Sequence, residues 1–151
     1  MKETSNISQS FVAAIPAPIQ FSPSQLSKIS GRLLSALAIV FLLFDATIKV
    51  LQLPAAVDAT KQLGYPGNIV LTLGTIQLVC LALYLIPRTA IFGAILWTGY
   101  LGGAVATHVR VGNSLATHIL FPIYVAALLW GGLWLRDQRL RELLPLRSAR
   151  V

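Results

Sequence analysis

Charged residues and cysteine are both scarce in this sequence. Only 11% of its 151 residues are Asp, Glu, Lys or Arg, whereas soluble domains carry about 25%. The single cysteine, Cys80, excludes an intramolecular disulfide, a CxxC redox pair and a zinc site of several thiolates within the chain. Hydrophobic residues make up 56% of the sequence. A soluble domain of this length could not bury so much apolar surface, so the composition indicates a membrane protein.

The charges that are present are mostly positive, with 12 Lys and Arg against 5 Asp and Glu. Most of these cations flank apolar segments and do not form a stripe interleaved with aromatic residues, which is the usual pattern of a nucleic-acid surface. We therefore expect no nucleic-acid partner. The composition predicts a lipid bilayer as the partner of this chain, with the cations beside it as topology signals.

Four apolar stretches are each about 20 residues long, the length that a helix needs to cross roughly 30 Å of hydrocarbon. They are residues 33–53, 68–86, 89–107 and 116–135. Only helices or closed barrels satisfy the backbone in lipid, and these continuous runs lack the alternation of barrel strands. The sequence therefore predicts an all-α fold, an integral membrane bundle of four transmembrane helices with up-down topology.

The segments around these spans predict the domain organisation. Residues 1–21 are rich in Ser, Asn, Gln and Pro and predict a disordered tail; residues 22–135 form the transmembrane domain, and residues 136–151 a basic tail. Lys and Arg are enriched on the side of the bilayer where both tails lie, whereas Lys61 and Arg110 lie on the other side. Because cytoplasmic loops carry more Lys and Arg, we expect both termini in the cytoplasm.

Asp45 and Lys49 lie inside the first predicted span, where a charged side chain costs about 2.5 to 3.5 kcal/mol. Their four-residue spacing places them on one helical face, where they can pair. One interpretation is a structural pair that fixes the helix register, with the Lys49 amine extending to the outer interface. The other interpretation is that the two residues form one wall of a binding site.

Three further ionisable residues fall near the same depth as this pair. His108 ends the third span, Arg110 follows it, and His118 opens the fourth. Because the first and third spans both run outward, we predict a ligand-binding or proton-relay site at the outer end of the bundle, formed by Asp45, Lys49, His108, Arg110 and His118. The alternative is a coincidence of polar residues that collect at span ends. We expect no metal, because no spacing such as HxxxH supports one.

Small and weakly polar residues mark the inner faces of two spans. The third span contains Gly93, Gly99, Gly102 and Gly103, of which Gly99 and Gly103 form a GxxxG pattern. Such glycines allow helix backbones to approach closely, so we interpret them as packing residues. On the second span, Gln77, Cys80 and Tyr84 form a weakly polar stripe that predicts the face directed at the bundle, and Trp97 in the third span should also face protein.

Three segments of the sequence carry a resemblance to a known family. They are ALYLIPRTA at residues 82–90, GYLGGAVATHVR at residues 99–110 and HILFP at residues 118–122. They resemble the DoxX-like family of small bacterial membrane proteins, over about residues 34–146 of this chain. The resemblance implies a four-helix fold in a bacterial inner membrane. It also places Asp45 and Lys49 at positions similar to the polar motif of the family's first helix.

The resemblance implies several functions and does not select a reaction. The family's name comes from a subunit associated with a quinone-linked oxidoreductase, whereas related animal proteins resemble assembly chaperones. Our first hypothesis is an accessory or binding subunit, not an enzyme, that contacts a membrane or peripheral redox protein or binds a hydrophobic molecule such as a quinone. The alternatives are an oxidoreductase component in which His108 and His118 exchange protons with quinone, and a small-molecule transporter that acts as a homo-oligomer.

The intramembrane pair generates a first prediction. Asp45→Leu or Lys49→Leu alone leaves one unpaired charge, so each single variant should lose about 3 to 5 kcal/mol of stability. The double variant should accumulate in membranes better than either single variant, because it strands no charge. Quantitative immunoblots of membrane fractions measure this, with Lys61→Leu as a control outside the spans. Equal accumulation of the parent, both single variants and the double variant would contradict the pairing argument.

Overall fold

The computed structural model describes residues 23–143 of the chain. Its elements are α1 (Pro23–Val50), α2 (Pro54–Gln62), α3 (Ile69–Leu85), α4 (Ala90–Arg110), a π-helical turn (Leu115–Ile119), α5 (Phe121–Arg136) and α6 (Gln138–Leu143). Residues 23–143 contain helices and turns but no strand, so the predicted all-α fold is confirmed for them. The predicted tail at residues 1–21 and the last part of the basic tail, residues 144–151, lie outside the described residues.

Three helical segments are long and apolar enough to cross a membrane. They are Gln25–Val50, Ala90–Arg110 and Leu115–Arg136. The fourth apolar helix, α3, has 17 residues and covers about 26 Å at 1.5 Å per residue, a few ångströms less than a bilayer core. The predicted transmembrane character is thus confirmed, with three helices of full spanning length.

The connections between the helices follow the sequence signals closely. Residue Gln52 has a φ of 50° and ends α1 three residues earlier than predicted, and Pro54 then begins α2. This connection therefore consists of a short helix followed by a turn, with Gly64 at a φ of 81° in the turn. Residues 86–89 join α3 to α4, and the hydroxyl of Thr89 donates to the carbonyl of Leu83 at 2.8 Å.

The four long helices form a closed ring of contacts. Helix α1 packs most extensively against α5 and then α3, while α4 packs against α3 and α5. The core between them contains the buried side chains of Leu42, Tyr84, Trp97, Leu129 and Leu133. The predictions that Trp97 and the Gln77, Cys80 and Tyr84 stripe face protein are confirmed, because each of these residues is at most 4% exposed.

Large apolar side chains cover the outside of the bundle. Leu33, Val40 and Phe44 of α1 are between 64% and 68% exposed, and Phe92 and Ile95 of α4 are more than half exposed. A continuous apolar exterior of this kind would aggregate in water. In a bilayer the same side chains contact acyl chains, in agreement with the hydropathy of the helices.

Tyr84 connects three helices through one hydroxyl group. This hydroxyl donates to the carbonyl of Leu129 in α5 at 3.0 Å and lies 3.1 Å from the hydroxyl of Ser35 in α1. Because the single phenolic proton is directed at Leu129, Ser35 is the donor to the Tyr84 oxygen. All three residues are buried, so the network is shielded from competing solvent.

The glycines that allow close helix contacts are mostly not the ones that the sequence pattern indicated. A Cβ on Gly132 would meet the backbone of Gly31 and Ser35, and a Cβ on Gly93 would meet the backbone of Tyr84. By contrast, a Cβ on Gly99, Gly102 or Gly103 would meet nothing within 4 Å. The packing prediction is therefore right for Gly93 and wrong for the GxxxG pair, because a Cβ on either of its glycines would contact no neighbouring helix of this bundle.

The contrast between two glycines of α4 gives a second prediction. Gly93→Ala places a methyl group against the backbone of Tyr84, which cannot give way as a side chain could. We expect a loss of about 1 to 3 kcal/mol, as for other overpacked cores. Gly102→Ala is the matched control, because its methyl group enters open space. Thermal unfolding of the purified proteins in detergent measures both, and equal melting temperatures for the two variants would contradict the observed packing.

Candidate functional site

A cavity of about 400 Å³ lies between α1, α3, α4 and α5. Its wall is largely apolar; α2 contributes Thr60 to it, and the α2–α3 connection contributes Leu63 and Tyr65. The polar side chains that the long helices direct towards it are those of Asp45, Lys49, Gln77, Tyr100, Thr107 and His108. Apolar walls with a few convergent polar groups are typical of sites for small molecules.

The carboxylate of Asp45 is the centre of the polar groups. Its Oδ2 accepts a hydrogen bond from Nζ of Lys49 at 2.6 Å and another from Nε2 of Gln77 at 2.6 Å. The predicted pair of Asp45 and Lys49 is thus present as an ion pair on one face of α1. Two donors at one oxygen fix the position of the carboxylate relative to α3.

Gln77 is held in one orientation by this contact. A carboxylate accepts and cannot donate, so the amide nitrogen of Gln77 must face Asp45 and the amide oxygen must point elsewhere. Oε1 of Gln77 is buried and has no hydrogen-bond partner among the described residues. The side chain as a whole is only 1% exposed and lines the cavity. The amide therefore joins α3 to α1 through Asp45, while its oxygen is closed off from the cavity space.

Aromatic rings complete the wall opposite the ion pair. Nζ of Lys49 lies 5.9 Å from the ring centroid of Tyr100, within the range of a cation–π contact. The Tyr100 ring packs edge-on against Trp97, with centroids 5.6 Å apart. The indole Nε1 of Trp97 is buried and has no partner in the described part of the chain. This arrangement holds the Lys49 amine between a carboxylate and an aromatic face.

The two predicted histidines lie together, and only one of them lines the cavity. Their ring centroids are 5.5 Å apart. His108 contributes to the cavity wall, and its Nδ1 is 2.8 Å from the amide nitrogen of Asn113. His118 is exposed, and its Nδ1 is 2.7 Å from the hydroxyl of Thr117. The pair therefore extends from the cavity to the surface.

Arg110 has a position at the rim and does not line the cavity. Its guanidinium donates to the carbonyl of Leu63 at 2.7 Å and lies 5.6 Å from the ring centroid of Tyr65. The hydroxyl of Tyr65 lies 3.0 Å from that of Thr107 in α4. Arg110 and Tyr65 thus attach the α2–α3 connection to the end of α4.

The structure brings three of the five predicted residues, Asp45, Lys49 and His108, onto one cavity, with Arg110 and His118 beside it. Sequence reasoning missed the roles of Gln77 and Tyr100 in this wall. Gln77 carried a usable signal, since it is an amide inside an apolar span, but its partner on α1 depends on tertiary packing. In residues 23–143, no group of three or more His, Cys, Asp or Glu is arranged to hold a metal ion.

Comparison with known proteins agrees with the family resemblance of the three sequence segments described above. The model of the DoxX-like family matches residues 33–132, a region that includes most of α1, all of α3 and α4, and most of α5. No curated protein and no solved structure matches the chain. The matched region contains every polar residue that the long helices contribute to the cavity. The chain belongs to the DoxX-like family.

Proposed function

We propose that this integral membrane protein is an accessory or binding subunit whose cavity binds a lipid-soluble small molecule with a polar head group. The observation that carries the proposal is the ion pair of Asp45 and Lys49 in the wall of a largely apolar cavity. Apolar walls bind the apolar body of a ligand, and a few convergent polar groups orient its head group. The cavity volume of about 400 Å³ lies in the range of small-molecule sites, roughly 300 to 1,000 Å³.

The polar groups also define the chemistry of the head group. The carboxylate of Asp45 can accept from a donor on the ligand, whereas the Lys49 ammonium has three N–H groups and directs one of them at Asp45. Its other N–H groups can donate to an oxygen of the ligand. A hydroquinone has this combination, with hydroxyl groups that both donate and accept on an apolar ring. A quinone in its reduced form therefore fits the cavity and agrees with the association implied by the family.

A membrane oxidoreductase component acting with quinone is the second candidate, and the histidine pair favours it. Histidine titrates near neutral pH and can transfer protons. With His108 in the cavity wall and the exposed His118 ring 5.5 Å away, the pair offers a proton path between a bound quinone and the surface. A redox-protein partner, a homo-oligomer and a transport role stay predictions.

The helix contacts support a bundle of four spans with up-down topology. Gly31 near the start of α1 lies against Leu135 near the end of α5, and Gly74 near the start of α3 lies against Lys49 near the end of α1. Such contacts between opposite ends belong to antiparallel neighbours. Together with the distribution of Lys and Arg, they support both termini in the cytoplasm and a location in a bacterial inner membrane.

A third prediction tests the cavity with a defined probe, a decyl-substituted benzohydroquinone. Ala104 lines the cavity, so Ala104→Phe should fill it and weaken binding of the probe by more than about tenfold, since a blocked ligand loses most of its contacts. Ala106→Phe is the matched control, because Ala106 is exposed on the same helix and does not line the cavity. Calorimetric titration of the detergent-purified protein measures both affinities.

Two outcomes of this titration contradict the binding proposal. The first is a parent protein that does not bind the hydroquinone, and the second is equal binding by both variants. The redox candidate is tested on the same preparation by visible absorption and mass spectrometry. A co-purified flavin or haem would favour it, whereas a spectrum with protein absorption alone would count against it.

A fourth prediction concerns the topology. A reporter fused after Val151 should lie in the cytoplasm, because an even number of spans separates the termini. A reporter inserted between Gly112 and Asn113, in the loop between the third and fourth spans, should lie outside. Paired alkaline phosphatase and green fluorescent protein fusions measure the two positions. External activity after Val151 would mean that α3 does not span or that the orientation is reversed.

A further inference from the structure

A second cavity, of about 550 Å³, lies at the other end of the bundle. Helix geometry separates it from the first cavity, since Arg32 and Asp45 are 13 residues apart on α1, or about 20 Å at 1.5 Å per residue. The start of α1, the α3–α4 turn, the end of α5 and the start of α6 all line it. None of the residues proposed to bind the hydroquinone contributes to it.

Four cations line this second cavity: Lys28, Arg32, Arg136 and Arg139. One carboxylate, that of Asp137, lies among them, so the lining has a formal charge of +3. In residues 23–143, none of the four cations forms an ion pair with a carboxylate. Oδ1 of Asp137 instead accepts the backbone N–H groups of Arg139 and Leu140, at 2.9 and 3.4 Å. The carboxylate is thus engaged at the start of α6, and the positive charge has no paired carboxylate within residues 23–143.

One of the four cations, Arg136, is held in place by a residue of the buried core. The guanidinium of Arg136 lies 5.2 Å from the ring centroid of Tyr84. That ring is buried and fixed by the hydrogen bonds of its hydroxyl to Ser35 and Leu129. A guanidinium held in one place loses less entropy when it binds an anion, and its fork of N–H donors suits phosphate oxygens.

The cavity also has an apolar part that continues onto the lipid-facing surface. Leu133 and Ala90 in its lining are buried, whereas Leu85 is 54% exposed on the outside of α3. An anion with an attached acyl chain could therefore place its charge among the cations and its chain along the helix exterior. Basic pockets between transmembrane helices are known to bind the phosphates of acidic lipids.

We propose that this cationic cavity is a binding site for a phosphate group, independent of the hydroquinone site. The phosphate belongs either to the head group of an acidic phospholipid or to a soluble phosphate. Like charges four residues apart, as Lys28 and Arg32 are, repel each other on a helix. A bound phosphate relieves this repulsion and joins α1, α5 and α6 through one anion.

The test compares three probes on the full-length protein in neutral detergent: dioctanoyl phosphatidylglycerol, inorganic phosphate and uncharged dioctanoylglycerol. Binding is measured by native mass spectrometry and by the shift in melting temperature with ligand concentration. We expect saturable binding of phosphatidylglycerol, inorganic phosphate or both, and none of dioctanoylglycerol. Binding of phosphatidylglycerol alone assigns the site to a lipid, and binding of inorganic phosphate assigns it to a soluble source.

Matched variants distinguish a specific phosphate site from non-specific attraction of phosphate by surface charge. Arg32→Gln removes an exposed cation of the cavity, and Arg88→Gln removes an exposed cation of the neighbouring α3–α4 turn that does not line it. The first should weaken binding of the phosphate probe about fivefold, the effect of one cation near an anionic surface, and the second by less than about twofold. Lys28→Gln provides a second variant of the cavity. Equal weakening by Arg32→Gln and Arg88→Gln, or binding of dioctanoylglycerol as strong as that of the phosphate probes, would overturn the proposal.

Discussion

The bundle depends on the position of Tyr84, which lies on α3 and contacts the other three long helices. Its hydroxyl group bridges Ser35 on α1 and Leu129 on α5, and its backbone lies where a side chain on Gly93 of α4 would be. Its ring supports Arg136. A tyrosine hydroxyl buried in lipid or protein must find partners. This requirement fixes the rotation of α3 relative to α1 and α5 and, through the short turn at residues 86–89, that of α4.

The packing around Tyr84 is closer than the packing in the other half of the bundle. Gly31 and Gly132 bring α1 and α5 into backbone contact on this side, whereas the far half of the bundle leaves space for the cavity around Asp45. The polar residues in that space stabilise it differently, through a carboxylate that joins α1 to α3 and an arginine that attaches the α2–α3 connection. Close backbone contacts therefore accompany the hydrogen bonds of Tyr84 in one half of the bundle, whereas hydrogen bonds of Asp45 and Arg110 connect the elements around the cavity in the other half.

Sequence patterns were sufficient to predict the helices and the pairing of Asp45 with Lys49, because both depend on residue spacing within one helix. They were insufficient wherever two helices had to be placed relative to each other. The GxxxG pattern of Gly99 and Gly103 suggested close packing, yet the backbone contacts are made by Gly31 and Gly132, which belong to helices far apart in sequence. The hydrogen bond from Gln77 to Asp45 was hidden for the same reason. The distance between Gln77 and Asp45 depends on how α3 and α1 pack, and the sequence of either helix alone does not indicate it.

The bare backbone at Gly99 and Gly103 gives the first cavity an unusual boundary. Both residues are exposed and line the cavity, and a Cβ on either would meet nothing within 4 Å, so no side chain from these positions narrows it. A hydrophobic molecule partitions into the bilayer and reaches concentrations far above its aqueous level. For the lipid-soluble ligand proposed above, the relevant concentration is that in the membrane plane. Occupancy of the site would then follow the pool dissolved in the membrane, and even modest intrinsic affinity would be sufficient to fill it.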